Sequence, residues 1–349
     1  LLAGLADRRA VVLQAPPGAG KTTRVPLALL DAAWLAGQRM IMLEPRRLAA
    51  RAAARRMAGT LGERVGATVG FRVRGETQVS ARTRVEVVTE GVLTRLLQSD
   101  PSLDGVGLLI FDEFHERSVH ADLGLALALQ AQELLRPDLR ILVMSATLDG
   151  AAVSALLGEA PIVTSAGRVH PVDVRYVDRR EGQRVENAVA AAVRRTLGAD
   201  DGSVLAFLPG AAEIRRTLDL LDSDSLPRDV RVHPLYGDLS PDAQDAAIAP
   251  AAPGERKVVL ATSIAETSLT IDGVRVVVDS GLARVSRFSP RSGMQRLETV
   301  RVSLASADQR AGRAGRTAPG VCYRLWGAGE HAGLLARSTP ELLETDLAP

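Results

Sequence analysis

Cysteine is nearly absent from this chain of 349 residues, and Cys322 stands alone. A single thiol permits no intrachain disulfide framework and no thiolate metal cluster, and it suits a reducing compartment. Histidine is scarce as well, at positions 115, 120, 170, 233 and 331. Only His115 and His120 are close, and a spacing of five suits no familiar helical ligand pair, so a metal held by side chains alone is not expected. No apolar run reaches the roughly 18 residues of a membrane span, and no charged-then-apolar leader opens the chain. Lysine is also rare: of 43 basic residues, only Lys21 and Lys257 are lysine. A preference for arginine codons explains that bias, and it singles out the two lysines that remain.

The rest is ordinary for a globular protein: 46% hydrophobic residues, 24% charged residues and a net charge of +2. That length and composition allow two domains with substantial cores. Short apolar runs at 10–14, 40–43, 85–89, 107–111 and 140–145 alternate with helical patterns at 22–36, 47–61, 91–98 and 122–135. Such alternation predicts βαβ units around a parallel sheet. The stretch 161–178, with Gly167 and Pro171, breaks the rhythm and reads as a crossover. The pattern then repeats. Strands are expected at 203–208, 231–235, 257–261, 274–279 and 320–325, and helices at 185–197, 211–221, 242–248 and 308–314. The expected division is a first α/β domain over 1–165, a second over 166–335, and the start of a further region over 336–349. The chain begins without Met and ends in mid-pattern, so it reads as a piece of a longer protein.

Four segments carry chemistry. Ala15-Pro-Pro-Gly-Ala-Gly-Lys-Thr22 follows an apolar strand and opens a helix. A glycine-rich turn there lets backbone amides and the helix N-terminus cradle phosphate, with the Lys21 ammonium on the outer phosphates and the Thr22 hydroxyl on Mg²⁺. Ala15 replaces the first glycine of the strict pattern; the plainer reading is a simple strand–turn–helix joint. The run Leu108-Leu-Ile-Phe-Asp-Glu-Phe-His115 ends a strand in two carboxylates. Asp112 suits a Mg²⁺ ligand, and Glu113 suits the group that orients an attacking water; a solvated acidic loop is the plainer alternative. Ser145-Ala-Thr147 ends a third strand in hydroxyls, which also commonly cap a following helix. Finally, Gln309-Arg-Ala-Gly-Arg-Ala-Gly-Arg316 places Arg310, Arg313 and Arg316 near one helical face, either as charge donors to a γ-phosphate or as a basic surface helix.

In order along the chain, these segments and five more resemble the motifs of a superfamily-two helicase of the DEAH-box type. The others are Glu44-Pro-Arg-Arg47, Thr89-Glu-Gly91, Phe207-Leu-Pro-Gly210, Leu235-Tyr-Gly-Asp238 and residues 261–271. With Phe114 where the family usually has alanine, Asp-Glu-Phe-His is similar to the bacterial HrpB-type members. The resemblance implies two tandem RecA-like P-loop domains, ATP and Mg²⁺ as cofactors, and 3′-to-5′ movement on single-stranded nucleic acid, RNA favoured over DNA. It further implies a bacterial cytoplasmic monomer. The end of the chain, Thr339-Pro-Glu-Leu-Leu-Glu-Thr-Asp-Leu347, resembles the start of the winged-helix domain that follows the motor in this family, so accessory domains would be missing here.

Residue by residue, the resemblance assigns Gly18, Ala19, Gly20, Lys21, Thr22 and Thr23 to the phosphates. Arg56 goes to the adenine and Asp272 to the ribose, with ATP bound between the two lobes. Asp112 and Glu113, with Thr22, would manage Mg²⁺ and the attacking water, and Gln309, Arg313 and Arg316 would face the γ-phosphate. Ser145, Thr147 and His115 would couple the site to the lobe interface. Arg46, Arg47, Thr89, Gly91 and Thr262 would hold the nucleic-acid backbone, contacts that fix register but read no sequence. Relatives complete an adenine sandwich with an aromatic ring where this chain has Ile248, which implies loose base selection. Phe71-Arg-Val-Arg74 resembles a strand-contacting hook-turn, or is simply a β-hairpin. A second hairpin, between Arg284 and Arg301, is the expected wedge against a duplex. Aromatic residues are only 3% of the chain, so base stacking is not the expected main grip. Two alternatives stay open on these residues: a DNA-directed translocase or nucleoprotein remodeller, and a nucleotide switch that gates a partner.

Overall fold

The computed structural model describes residues 1–16, 18–146, 150–167, 170–221, 226–267, 269–289 and 294–337. The chain divides into two compact units, residues 1–168 and 169–339.

In the first unit the order is α1 (Leu2–Asp7), β1 (Ala10–Gln14), α2 (Lys21–Leu29), β2 (Arg39–Leu43), α3 (Arg47–Thr60), β3 (Val69–Val73), β4 (Glu76–Gln78), β5 (Val85–Val88), α4 (Glu90–Ser99), β6 (Val106–Phe111), α5 (Val119–Leu134), β7 (Arg140–Ser145), α6 (Gly150–Leu156) and β8 (Ile162–Thr164). The eight strands lie in the order β4-β3-β5-β2-β6-β7-β1-β8. All pairings are parallel except β3 with β4. Strand β6 is buried along its whole length, as expected of a parallel strand covered on both faces. Alternation divides the sheet's side chains between two cores. Val11, Met42 and Ile110 face one, while Val12, Ile41 and Leu109 face the other. Order then does the functional work, because β6, β7 and β1 are neighbours, so the loops after all three leave the same edge side by side.

The second unit runs β9 (Val172–Tyr176), α7 (Val185–Ala199), β10 (Ser203–Phe207), α8 (Ala211–Leu220), β11 (Val230–Leu235), α9 (Pro241–Ile248), β12 (Arg256–Ala261), β13 (Val274–Asp279), β14 (Leu282–Ser289), β15 (Met294–Arg301), α10 (Leu304–Ala311), β16 (Gly320–Arg324) and α11 (Ala328–Ala332). Its sheet is parallel throughout, in the order β11-β12-β10-β13-β16-β9. Strands β14 and β15 stand apart as a two-stranded antiparallel hairpin. No helix among the described residues is long and apolar enough to cross a membrane.

Several expectations are corrected. The helix expected over 22–36 ends at Leu29, where the amides of Leu30 and Ala32 tighten onto Leu27 and Leu29, and Ala33–Leu35 forms a separate 3₁₀ turn. Ala and Leu continue across that break, so composition does not mark it. The crossover 161–178 is not merely a linker, since β8 and β9 within it form edge strands of the two sheets. The helix expected over 308–314 begins at Leu304, because the Ser303 hydroxyl caps it by accepting from the Ser306 amide, and it stops at Ala311. Arg310 is therefore helical, and Arg313 and Arg316 lie in the turns beyond. The segment 71–74 belongs to a β-hairpin, the plainer of its two readings, with Arg74 exposed at the turn. Phe71 is fully buried in β3, and Gly75, at φ 83°, turns the chain into β4.

Candidate functional site

The loop after β1 reaches α2 through Gly18 and Gly20, both with φ above 80° or at it (84° and 80°). That left-handed backbone is free for glycine and strained for other residues. A Cβ on Gly20 would also lie 2.8 Å from Arg24 Cδ. The turn delivers the first-turn amides of α2, which have no intrahelical acceptor, to the sheet edge. Lys21, the first residue of α2, is buried at 6% exposure. Its Nζ donates to Glu113 Oε1 at 3.0 Å, and the Thr22 hydroxyl donates to Asp112 Oδ2. Residues 92 and 90 positions apart thus meet at the ends of β1 and β6.

Electrostatics follow from burial. Desolvation alone would lower the Lys21 ammonium, but Glu113, Asp112 and Glu44 outweigh it and raise its pKa. Asp112 is pushed up to about 6, first by burial and further by the Glu113 charge, against the pull of Lys21 and the Thr22 hydrogen bond. Its Oδ1 accepts from the Glu113 amide at 2.8 Å. Glu113 itself has φ 49°, an uncommon conformation for a residue with a side chain. Held there, it turns its carboxylate to Lys21 on one side and to His115 Nδ1, 3.3 Å away, on the other. Burial lowers the His115 pKa. Two hard oxygen donors, the Thr22 hydroxyl and the Asp112 carboxylate, converge on one point beside the glycine-rich turn, a donor set that fits Mg²⁺. Ser145, fully buried at the end of β7, accepts from the Ala15 amide through its carbonyl at 3.0 Å and pins the start of the loop. Thr147 lies outside the described residues.

The other expected residues fall into two groups. Arg46 is paired with Glu116 at 3.1 Å, Arg47 is exposed at the start of α3, and Thr89 precedes α4. Gly91, exposed in the first turn of α4, is a useful case: a Cβ there would meet nothing within 4 Å. Packing within this protein does not require glycine at that position. Arg56 is exposed near the end of α3. Arg51 is buried and paired with Glu76 at 3.3 Å, tying α3 to β4.

In the second unit, Thr262 caps the 3₁₀ turn Ser263–Ala265. Asp272 sits just before β13, and Ile248 ends α9 half-buried. Gln309 is half-buried on α10. Arg313 is buried; its Nε donates to the Glu266 carbonyl at 2.8 Å and its Nη1 to that of Leu269. Arg316 Nη1 donates to the Leu269 carbonyl and to Thr270 Oγ1, both at 2.7 Å. These two arginines therefore brace Glu266, Leu269 and Thr270.

Sequence reasoning missed the role of Arg310. It is 1% exposed, paired with Asp279 at 2.9 Å and Glu266 at 3.0 Å, and its guanidinium lies 4.9 Å from the Phe207 ring centre. A basic surface helix is excluded for this residue. Lys257, the other rare lysine, caps the end of α9: Nζ donates to the carbonyls of Ala246, Ala247 and Ala249 at 2.6, 3.0 and 2.7 Å.

Comparisons agree with this geometry. The DEAD/DEAH box helicase family matches residues 2–156, and the helicase conserved C-terminal domain matches residues 188–318. The chain is 53% identical over its whole length to the ATP-dependent RNA helicase HrpB of Escherichia coli (strain K12), covering 43% of that protein. It is 38% identical over 99% of its length to the pre-mRNA-splicing factor ATP-dependent RNA helicase prp22 of Schizosaccharomyces pombe, covering 30% of it. Two crystal structures of E. coli HrpB superpose with TM-scores of 0.92 and 0.83 at 52% identity. One is described as a DEAH/RHA helicase and the other as a DExH-box NTPase; this chain covers 99% of itself in each case, and 44% and 43% of theirs. The chain thus spans less than half the length of the relatives it matches.

Proposed function

The chain belongs to the DEAD/DEAH box helicases, with a RecA-like fold in each unit, and from that premise we propose that it is the motor core of an ATP-dependent RNA helicase. The observation that carries this reading is the convergence of Lys21 with Glu113 and of Thr22 with Asp112. A cation, a hydroxyl and two carboxylates meet at one helix N-terminus, which is the equipment for binding and hydrolysing a nucleoside triphosphate.

Each residue has a task in this proposal. Gly18, Ala19, Gly20, Lys21, Thr22 and Thr23 hold the phosphates, and Lys21 exchanges its contact with Glu113 for phosphate oxygens. Thr22 and Asp112 hold Mg²⁺, which supplies charge neutralisation when bound. Glu113, released from Lys21 but kept in place by its backbone and by His115, orients the attacking water and takes its proton. Gln309, Arg313 and Arg316 act on the γ-phosphate, while Arg56 and Asp272 grip the nucleoside. Ile248 offers no ring for stacking, so GTP is accepted with ATP. Ser145, His115 and Thr147 relay the state of the site. RNA is held along its backbone by Arg46, Arg47, Thr89, Gly91 and Thr262; the open space over Gly91 supports this assignment.

The hairpin of β14 and β15 meets the duplex. Beyond Arg284, residues 285–301 carry four arginines against one glutamate, and Met294 and Leu297 are 66% and 70% exposed. We assign movement 3′-to-5′, a monomeric state and work in the bacterial cytoplasm, with further domains of the longer relatives closing the RNA channel.

The test is ATP turnover by the full-length protein with single-stranded RNA or DNA, and unwinding of RNA duplexes with 3′ or 5′ tails. Stimulation by RNA and unwinding from the 3′ tail are expected. Stronger stimulation by DNA would move the assignment to a DNA translocase, and stimulation by neither would favour a partner-gated switch.

A further inference from the structure

The hairpin of β14 and β15 shares no ladder with the six-stranded sheet. Its direction is therefore not set by backbone pairing, and an isolated two-stranded hairpin is marginal on its own. What fixes it lies at its base. The Val302 amide donates to the Gly281 carbonyl at 3.0 Å, and Arg310 Nη1 donates to the Leu282 carbonyl at 3.1 Å. Ala283 packs against Val302, Ala307 and Trp326.

Among the described residues, two ion pairs tie the strands themselves to the rest of the unit. One, Arg301 with Glu330, joins side chains that are 58% and 46% exposed, and water screens such a pair strongly. The other is Arg284 of β14 with Glu213 of α8, Nη2 to Oε1 at 3.2 Å, with the Glu213 side chain only 10% exposed.

The surroundings of Glu213 are built for this contact. It lies in the first turn of α8, where the helix dipole favours a carboxylate. Its Oε1 also accepts from Arg216 Nη2 at 2.9 Å, and Arg216 Nε reaches Glu186 at 2.8 Å. The second oxygen, Oε2, is buried without a hydrogen-bond partner among the described residues. Gly210 makes room for the arginine: a Cβ there would lie 2.5 Å from Arg284 Nη1 and 3.0 Å from Glu213 Oε2. The guanidinium thus lies against Gly210, at the end of the loop that leaves β10.

We propose that Glu213, acting through Arg284, is the positioning residue for the hairpin of β14 and β15, and sets how much of each ATP turnover becomes strand separation. The proposal rests on the helicase reading above. Both residues belong to the second unit and the nucleotide-binding loop to the first, so hydrolysis proceeds without the pair while its coupling to unwinding suffers.

The experiment uses the full chain with Glu213→Gln, Arg284→Gln and the double variant. Three quantities are read: amide hydrogen exchange over 282–301, RNA-stimulated ATP turnover, and unwinding of a tailed RNA duplex. Each single variant is expected to speed exchange in the hairpin and to lower unwinding per ATP roughly fivefold, the scale of one partly buried ion pair. ATP turnover stays within about twofold, and the double variant is no worse than either single one, as required when two residues act through each other. Unchanged exchange, additive losses, or ATP turnover falling in step with unwinding would overturn the proposal. A wild-type protein that fails to unwind any duplex would sink the helicase reading, and the coupling claim with it. A wild type that unwinds beside unimpaired variants would sink this inference alone.

Discussion

Replacing Asp112 by Asn is expected to make the nucleotide-free protein more stable while destroying its catalysis. Asp112 is buried at 3% exposure, and its pKa is pushed up from 3.8 to about 6 because burial and the Glu113 charge together outweigh Lys21 and Thr22. Its folded pKa lies above its unfolded one, so the native state binds the proton more tightly. Stability from this group is fully present below the unfolded pKa and is lost as pH rises through about 6. A shift of about two units at ~1.4 kcal/mol each means that the ionised carboxylate costs the fold about 3 kcal/mol above that pH. Asn keeps one acceptor, for the Glu113 amide, and turns its NH₂ towards Thr22, whose hydroxyl can accept from it; it has no charge to bury. Part of the gain is lost with those charge-assisted bonds, leaving about 1–3 kcal/mol, or roughly 2–10 °C in melting temperature for a unit of this size. Calorimetric melts of both proteins with chelator, between pH 4.5 and 8, test the claim. The gap between variant and wild type opens as pH rises from 4.5 to 6.5 and is flat above. Adding Mg²⁺ and nucleotide stabilises wild type more and narrows it. A variant less stable than wild type at pH 7.5, or a gap that ignores pH, would refute the reasoning.

Three further outcomes are expected. Gly91→Ala fills open space on a helix, so it raises stability by up to about 0.5–1 kcal/mol in denaturant titrations. The same variant needs severalfold more single-stranded RNA for half-maximal ATPase, and unchanged RNA dependence would remove Gly91 from the RNA contacts. Lys257→Met keeps the aliphatic stem but strips three carbonyls of their donor, lowering stability by about 2 kcal/mol; a melt unchanged within error would contradict the capping role. Because Ile248 supplies no stacking ring, kcat/KM for GTP falls within about tenfold of that for ATP in steady-state assays, whereas discrimination beyond about 100-fold would imply a polar contact to the base.

How far the sequence could be read depended on whether the determinant was local. Strands β1 and β7 lie at 10–14 and 140–145 as expected, because buried parallel strands announce themselves as short apolar runs. The phosphate loop and the acidic pair were legible for the same reason: each sits where an apolar run ends. Strands β3 and β4 were legible only as one of two readings of 71–74, since Val69–Val73 mixes Gly70 and Arg72 into the run and earns its place by pairing with β5. The start of α10 depends on the Ser303 hydroxyl, and serine occurs in too many other contexts to mark a boundary alone. Arg310 looked like its neighbours Arg313 and Arg316, three and six positions on. Only the fold shows that its carboxylate partners, Glu266 and Asp279, come from other segments and bury it. Lys257 stood out by rarity, yet its acceptors are backbone carbonyls that no side-chain pattern reports.

The central claim is that Glu113 orients the water for a nucleic-acid-driven hydrolysis. It is tested most directly by steady-state ATP turnover of the full-length protein with and without single-stranded RNA, beside Glu113→Gln. Strong stimulation by RNA in wild type and a loss of about 10²–10³-fold in the variant, with nucleotide binding retained, are expected. Turnover that ignores RNA, or a variant that still hydrolyses at the wild-type rate, would contradict that claim.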